Sequence, residues 1–308
     1  MKIFNKLTVT KKYKRSSLAI GNFDGVHKGH QKVFKYAKST KSKFGILTFS
    51  PLPVMFFNKK IRNYRLASED QKFKLFKKYG ASFVINIKFN KNFSKISAED
   101  FIKNIIYKKI NPKLIFVSNN FKFGNKRKGN VKLLKKFGNK YNYRLLKISP
   151  LKHGKKVISS TIIRKCLQKG YIGLANKLLS RTWFIDGRVR KGKKLGRKLG
   201  YRTCNIHVRN YVLPKIGIYS VKVVIENEKY LYHGAAYLGS RPTFKGKEIF
   251  LEINIFGIKK NLYRKRLRIY FLKFIRGDRE FSNSAKLIRQ MNKDVISAKK
   301  GLKAMLVV

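Results

Sequence analysis

The rhythm of apolar residues in this chain changes once, near Trp183, and that change divides the folds open to it. Before it, short apolar runs at 17–22, 44–49, 83–89, 114–117 and 143–148 read as strands. Helix-period segments lie between them, at about 29–40, over 68–79 as far as Gly80, and from Ser97, where Glu99 and Asp100 follow a capping serine. A further helix is predicted over 159–169, closed by Gly170. Strands that alternate with helices predict a parallel sheet with crossover helices, a Rossmann-like α/β layer arrangement. After Trp183, strands are predicted at 183–189, 218–225, 231–238, 249–256 and 267–274, with no long helix between them. That half reads as an antiparallel sheet or small barrel. The final segment, 284–300, places Leu287, Ile288, Met291, Val295 and Ala298 on one helical face. A chain of 308 residues suits two domains, expected at 1–180 and 181–308.

Charge is the loudest compositional feature. Lys and Arg number 75 against 13 Asp and Glu, a formal net charge of +62. Such a field attracts phosphate backbones. The basic residues are nevertheless spread along the whole chain, and Lys, Asn, Ile, Phe and Tyr, whose codons are rich in A and T, are all abundant. No zinc-finger, RRM, KH or basic-zipper pattern occurs, so no specific nucleic-acid partner is expected. No apolar run is long enough to span a bilayer, and the basic start lacks an apolar signal core. The two cysteines, Cys166 and Cys204, have no metal-type spacing. A cytoplasmic protein with free thiols and no membrane partner is the expectation.

Two segments carry chemistry in the first half. Gly21-Asn22-Phe23-Asp24-Gly25-Val26-His27-Lys28-Gly29-His30 follows a predicted strand and opens a predicted helix. Glycines there let a backbone approach phosphate, and a helix N-terminus offers free N–H groups to an anion. His27 and His30 stand three apart and can donate to charge that develops on a phosphate. Ile158-Ser159-Ser160-Thr161-Ile162-Ile163-Arg164 supplies hydroxyls at a helix start and an arginine fork suited to phosphate oxygens. Read alone, it is better explained as a capped amphipathic helix.

In the second half, Gly192, Gly196 and Gly200 punctuate a very basic loop that can wrap phosphates. Thr203 and Asn205 offer oxygens suited to Mg²⁺. Glu252 lies alone on an apolar strand between Leu251 and Ile253. It either faces solvent on an alternating strand or has a functional reason to be there.

Taken together, residues 17–180 resemble the FMN adenylyltransferase domain of bacterial bifunctional riboflavin kinase/FAD synthetases, through GNFDGVHKGH, LTFSPLP, FKFGNKRKGN and ISSTIIRKCLQKGYIGLANKLLSR. The remainder resembles their riboflavin kinase domain, through GRVRKGKKLGRKLGYRTCNI, LPKIGIYSV, YLGSRPTF, LEINIF and the segment from FIRGDREF onward. The resemblance implies phosphorylation of riboflavin to FMN by ATP with Mg²⁺, then adenylylation of FMN to FAD. It implies that Glu252 is the base for the riboflavin hydroxyl, and that Thr203 and Asn205 hold the metal. Catalysis in the first domain would fall to His27, His30 and Arg164, with Gly21, Asp24, Gly29, Ser160 and Thr161 around ATP. Gly192 and Gly196 would serve phosphates in the second. Asn120, Phe121 and Arg276 would lie against flavin.

The chain departs from the family pattern at Leu52, where a histidine is usual, and at Asn120, where an acid is usual. Arg202 and Cys204 also differ from the usual Pro-Thr-Ala-Asn, and Arg264 from the usual Leu-Tyr-Gly. Three other readings stay open: a kinase whose adenylyltransferase domain has eroded, a nucleotidylyltransferase for another substrate, and a basic nucleic-acid binder.

Overall fold

The computed structural model describes residues 1–191, 200–243 and 246–303. Contacts divide the chain into two units, Met1–Arg62 with Leu66–Ser160, and Asn63–Arg65 with the chain from Thr161 onward.

In the first unit, six strands form one sheet: β1 (Lys2–Phe4), β2 (Ser17–Ile20), β3 (Phe44–Ser50), β4 (Phe83–Lys88), β5 (Leu114–Ser118) and β6 (Arg144–Ile148). Their order is β1-β4-β3-β2-β5-β6, and every pairing is parallel. Successive side chains of a strand point to opposite faces, so each strand feeds two cores. Leu18, Ile20, Leu47 and Ile85 join Ile102, Ile105 and Ile106 on one side. Ala19, Ile46, Val84 and Phe116 join Phe34 and Phe76 on the other. The helices α1 (Lys28–Lys38), α2 (Glu69–Lys78) and α3 (Val131–Lys140) are among the crossovers. The chain steps from β2 to β3 and β4 on one side, then returns to place β5 on the other. The carboxyl end of β2 is therefore a topological switch point, where open α/β sheets bind ligands.

Local chemistry sets the ends of these elements. Ser68 caps α2 in a full capping box with Gln71, and Glu69 and Asp70 occupy its positive end. Ser97 caps a helical turn over Ala98–Asp100, which continues as a π-helix over Phe101–Ile110 and stops at Asn111 in the left-handed region. The predicted strand at 17–22 ends earlier, at Ile20, because the next residues turn sharply.

In the second unit, α4 (Ser160–Gln168) and α5 (Ile172–Leu179) precede six strands: β7 (Phe184–Arg190), β8 (Cys204–His207), β9 (Gly217–Ile225), β10 (Leu231–Thr243), β11 (Gly246–Ile255) and β12 (Arg266–Arg276). They close an antiparallel barrel in the order β7-β8-β11-β10-β9-β12. Ile185, Ile206, Val221, Leu251, Ile269 and Phe271 are among its buried residues, and Trp183 packs on Phe271 with ring centroids 5.0 Å apart. A last helix, α6 (Ser284–Lys303), lies on β9, β10 and β12. Contacts count α4 and α5 with the barrel, whereas the change of sequence rhythm places the boundary after them.

Candidate active sites

The turn after β2 is strained. Phe23, Gly25 and Val26 have φ of 47°, 77° and 43°. A left-handed β-branched valine is an outlier, and such residues cost on the order of 1–3 kcal/mol each unless the surroundings over-determine them. The surroundings do so here. Both carboxylate oxygens of Asp24 accept the Leu66 N–H, at 3.0 and 3.1 Å, and the Asp24 carbonyl accepts the Ser160 hydroxyl at 2.9 Å. The Gln31 amide donates to the Val26 carbonyl at 2.8 Å.

The turn delivers His27 to the N-cap of α1, 5 % exposed, with His30 in the first turn. Their rings stack at 3.6 Å with 22° between planes. A Cβ on Gly29 would meet the His27 ring at 3.1 Å, so glycine leaves the space that the imidazole fills. The first N–H groups of α1 lack intrahelical partners, which makes this end of the helix an anion site.

These residues help to line a cleft of about 910 Å³, whose lining includes Gly21, Asp24, His27, Gly29, His30 and Ser160. The same cleft is lined by Phe49, Phe57, Phe89, Phe93 and Phe121, with Asn120 beside them. Phe57 is 69 % exposed, an uncommon state for a large aromatic, and packs edge-on against Phe89. Phe121 stacks on Phe123 at 5.5 Å. An aromatic wall facing a helix N-terminus suits a flat ring system that carries phosphate. The phenylalanines beyond Phe121 have no local sequence signature; only the sheet topology gathers them.

Thr161 and Arg164 lie on α4 and are counted with the second unit. Thr161 is exposed, whereas Arg164 is buried. The Arg164 Nε donates to the Tyr64 carbonyl at 2.8 Å, and its guanidinium lies 3.6 Å from the Tyr64 ring centroid. Tyr64 is itself held, because its N–H and that of Arg65 both donate to the Asn210 carbonyl.

In the barrel, register brings three residues into one row. Glu252 on β11 stands opposite Asn205 on β8 and Tyr237 on β10. Residues directly opposite share a face. Leu251 and Ile253 point into the core, so the row lies on the outer face. Asn205 is nevertheless only 8 % exposed, and its Oδ1 has no hydrogen-bond partner among the described residues. Glu252 is half-buried. Between Thr203 and Asn205, burial and the Glu252 charge push the Cys204 thiol up to about 12. Thr203 immediately precedes β8 and is half-buried. A buried amide oxygen with no partner among the described residues, opposite a carboxylate and two residues after a threonine, is a donor set of the kind Mg²⁺ takes when phosphates supply the rest. The expectations at Gly192 and Gly196 lie outside the described residues.

Arg276 ends β12 with its guanidinium engaged. It forms a two-pronged ion pair with Asp294 of α6, with Nη2 to Oδ2 at 2.7 Å and Nε to Oδ1 at 2.9 Å, while Nη1 donates to the Gly277 carbonyl. Two residues on, the Asp278 carboxylate accepts the Tyr237 hydroxyl at 2.9 Å. Arg276 thus holds the segment that reaches the Glu252 row.

Comparisons with known proteins match two separate stretches of the chain. Sequence models for FAD synthetase and riboflavin kinase match residues 9–162 and 179–302. A bifunctional riboflavin kinase/FMN adenylyltransferase of Buchnera aphidicola subsp. Schizaphis graminum is 42% identical over 293 residues, 92% of this chain and 93% of that one. The protein of the same name from Escherichia coli K12 is 32% identical, over 92% of this chain and 91% of its own. A Streptococcus pneumoniae crystal structure titled macrolide-efflux protein is 26% identical, with a TM-score of 0.82 over 95% of this chain and 96% of its own. Among the described residues, no helix is long and apolar enough to cross a membrane.

Proposed function

The chain belongs to the bifunctional riboflavin kinase/FMN adenylyltransferase family, and from that premise we propose that residues 1–180 adenylylate FMN and residues 181–308 phosphorylate riboflavin. One observation carries the reading of the first unit: a single cleft joins an aromatic wall to the anion-binding end of α1.

In the kinase reaction, Glu252 accepts the proton of the riboflavin 5′-hydroxyl. The hydroxyl oxygen then bonds to the γ-phosphorus of ATP, and ADP leaves. Thr203 and Asn205 would hold Mg²⁺, which neutralises charge on the phosphates when bound. Gly192 and Gly196 would give backbone N–H groups to the same phosphates. Arg276 works through Asp294 and the Asp278–Tyr237 contact to fix the wall against which the flavin lies.

In the adenylylation, an FMN phosphate oxygen bonds to the α-phosphorus of a second ATP as the bond to pyrophosphate breaks. No protein nucleophile is needed. His27 and His30 donate to the charge that grows, and Arg164, oriented by Tyr64, supplies a fixed positive charge. Asp24 and Ser160 shape the turn, which presents Gly21 and Gly29 to ATP, while Thr161 offers its hydroxyl to the same phosphates. Asn120 and Phe121 take the flavin end. Two buried free thiols are in keeping with a reducing, cytoplasmic setting, and positive charge spread along the whole chain favours bulk electrostatics over a specific nucleic-acid partner.

Incubation with riboflavin, ATP and Mg²⁺, followed by chromatography, tests the reading. FAD is expected. FMN alone would refute the adenylylation, and unchanged riboflavin would refute both.

A further inference from the structure

Beneath the strained turn lies a buried lysine that the reaction scheme leaves without a role. Lys72 on α2 is 5 % exposed, a rare state for lysine. Its Nζ donates to the Thr48 Oγ1 at 3.0 Å. Thr48, on β3, is fully buried, and its Oγ1 lies 3.1 Å from the Asn22 carbonyl. An ammonium can only donate, so the hydroxyl must accept from Lys72 and turn its own proton toward Asn22. The direction of the relay is fixed by chemistry, and each bond polarises the next. Asn22 immediately precedes Phe23, the first of the left-handed residues that carry His27 to the N-cap of α1.

We infer that Lys72 and Thr48 are positioning residues for adenylyl transfer, holding the Asn22 carbonyl so that the strained turn presents His27, Gly29 and His30 to phosphate. Neither side chain lines the cleft, so neither touches substrate. A lysine kept for packing alone would be replaceable by an apolar side chain of equal length, because burying an ammonium costs more than burying methylenes. A relay, in contrast, needs the donor and the hydroxyl. The inference rests on the proposed adenylylation for its activity readout only.

The two roles make opposite demands at position 48. Thr48→Val keeps shape and removes the hydroxyl, whereas Thr48→Ser keeps the hydroxyl and removes a methyl. Both variants and Lys72→Met are made in the full chain. FMN-to-FAD turnover, riboflavin phosphorylation and amide exchange of the peptide at 21–27 are then measured.

The relay predicts about a tenfold or greater fall in FAD formation for Thr48→Val and Lys72→Met, with the loss in kcat and no change in riboflavin phosphorylation. Thr48→Ser should keep most of the activity. Exchange at 21–27 should quicken in Thr48→Val and Lys72→Met, and stay at the parent rate in Thr48→Ser. Combining Thr48→Val with Lys72→Met should cost less than the sum of the two single losses, because both break the Lys72–Thr48 link. A Thr48→Val variant with parent exchange and parent turnover overturns the inference, as does a Thr48→Ser variant more damaged than Thr48→Val. A parent enzyme that makes no FAD would refute the adenylylation, and amide exchange would still decide the relay.

Discussion

Replacing Glu252 by Gln isolates the proposed kinase base. The change keeps the side chain's length and planarity and removes the charge. Position 252 is half-buried on the outer face, and Gln keeps a polar side chain of the same length there, so thermal unfolding measured alongside activity separates a loss of fold from a loss of chemistry. The new amide also faces Asn205, whose Oδ1 is without a partner among the described residues, and a donor there does no harm to packing. The chemical loss is large. A positioned general base contributes ~10²–10⁴-fold, or about 2.7–5.4 kcal/mol at 1.36 kcal/mol per decade. Because Glu252 is only half-buried, water can replace it in part, which places the expected loss of riboflavin phosphorylation at about 10²–10³-fold.

The assay is FMN formation at saturating riboflavin and ATP, with FAD formation from supplied FMN as the control. The control should be unchanged. Riboflavin phosphorylation within a few-fold of the parent, in a variant that keeps the parent's melting temperature, would remove Glu252 from the mechanism.

Thr203→Ala and Asn205→Ala should each weaken riboflavin phosphorylation, and raised Mg²⁺ should restore part of it; parent activity of both at low Mg²⁺ would refute the metal placement. His30→Ala should lower FAD formation by about 10²–10³-fold while FMN formation persists, and a fall confined to melting temperature would mark it as structural instead. Asp294→Ala leaves the Arg276 guanidinium nearly buried without its carboxylate, so a loss of about 3–5 kcal/mol in denaturant unfolding is expected, with weakened riboflavin binding. Unchanged stability would show that α6 is held by its apolar face alone.

Much of the fold was legible because its signals are local. Five of the six sheet strands in the first unit are apolar runs bounded by turns, and Gly170, with φ of 82°, ends α4 as a helix-closing glycine should. The elements that escaped are those set by tertiary contacts. The helix α3 contains Gly138, which weakens its helical pattern; the glycine is there because a Cβ would meet the Tyr143 carbonyl at 2.9 Å. The strand β8 is four residues long and reads as loop until β7 and β11 flank it. The first site was visible at Gly21–His30 because glycines and histidines have few other reasons to share a helix start. The relay through Lys72 was not, since nothing in a lysine-rich helix marks which lysine turns inward.

The departures from the family pattern at Leu52 and Asn120 bear on flavin, and their places in the fold limit what they can do. Leu52 is buried, and its carbonyl accepts the N–H groups of Met55 and Phe56, so it anchors the short helix Pro53–Phe57 that carries Phe57 to the cleft. An apolar side chain suits that anchoring, and the aromatic wall is kept. Asn120 is an exposed cleft residue whose amide can still donate and accept. What it lacks is negative charge, in a cleft whose proposed ligands are both anions. Removing an acid there lessens repulsion of phosphate while giving up one charged contact to the flavin ring. The anion-binding end is built from another segment, by the turn after β2 and the N-terminus of α1. Both changes are therefore expected to act on flavin affinity, a raised KM for FMN, rather than on the segment proposed to bind phosphate.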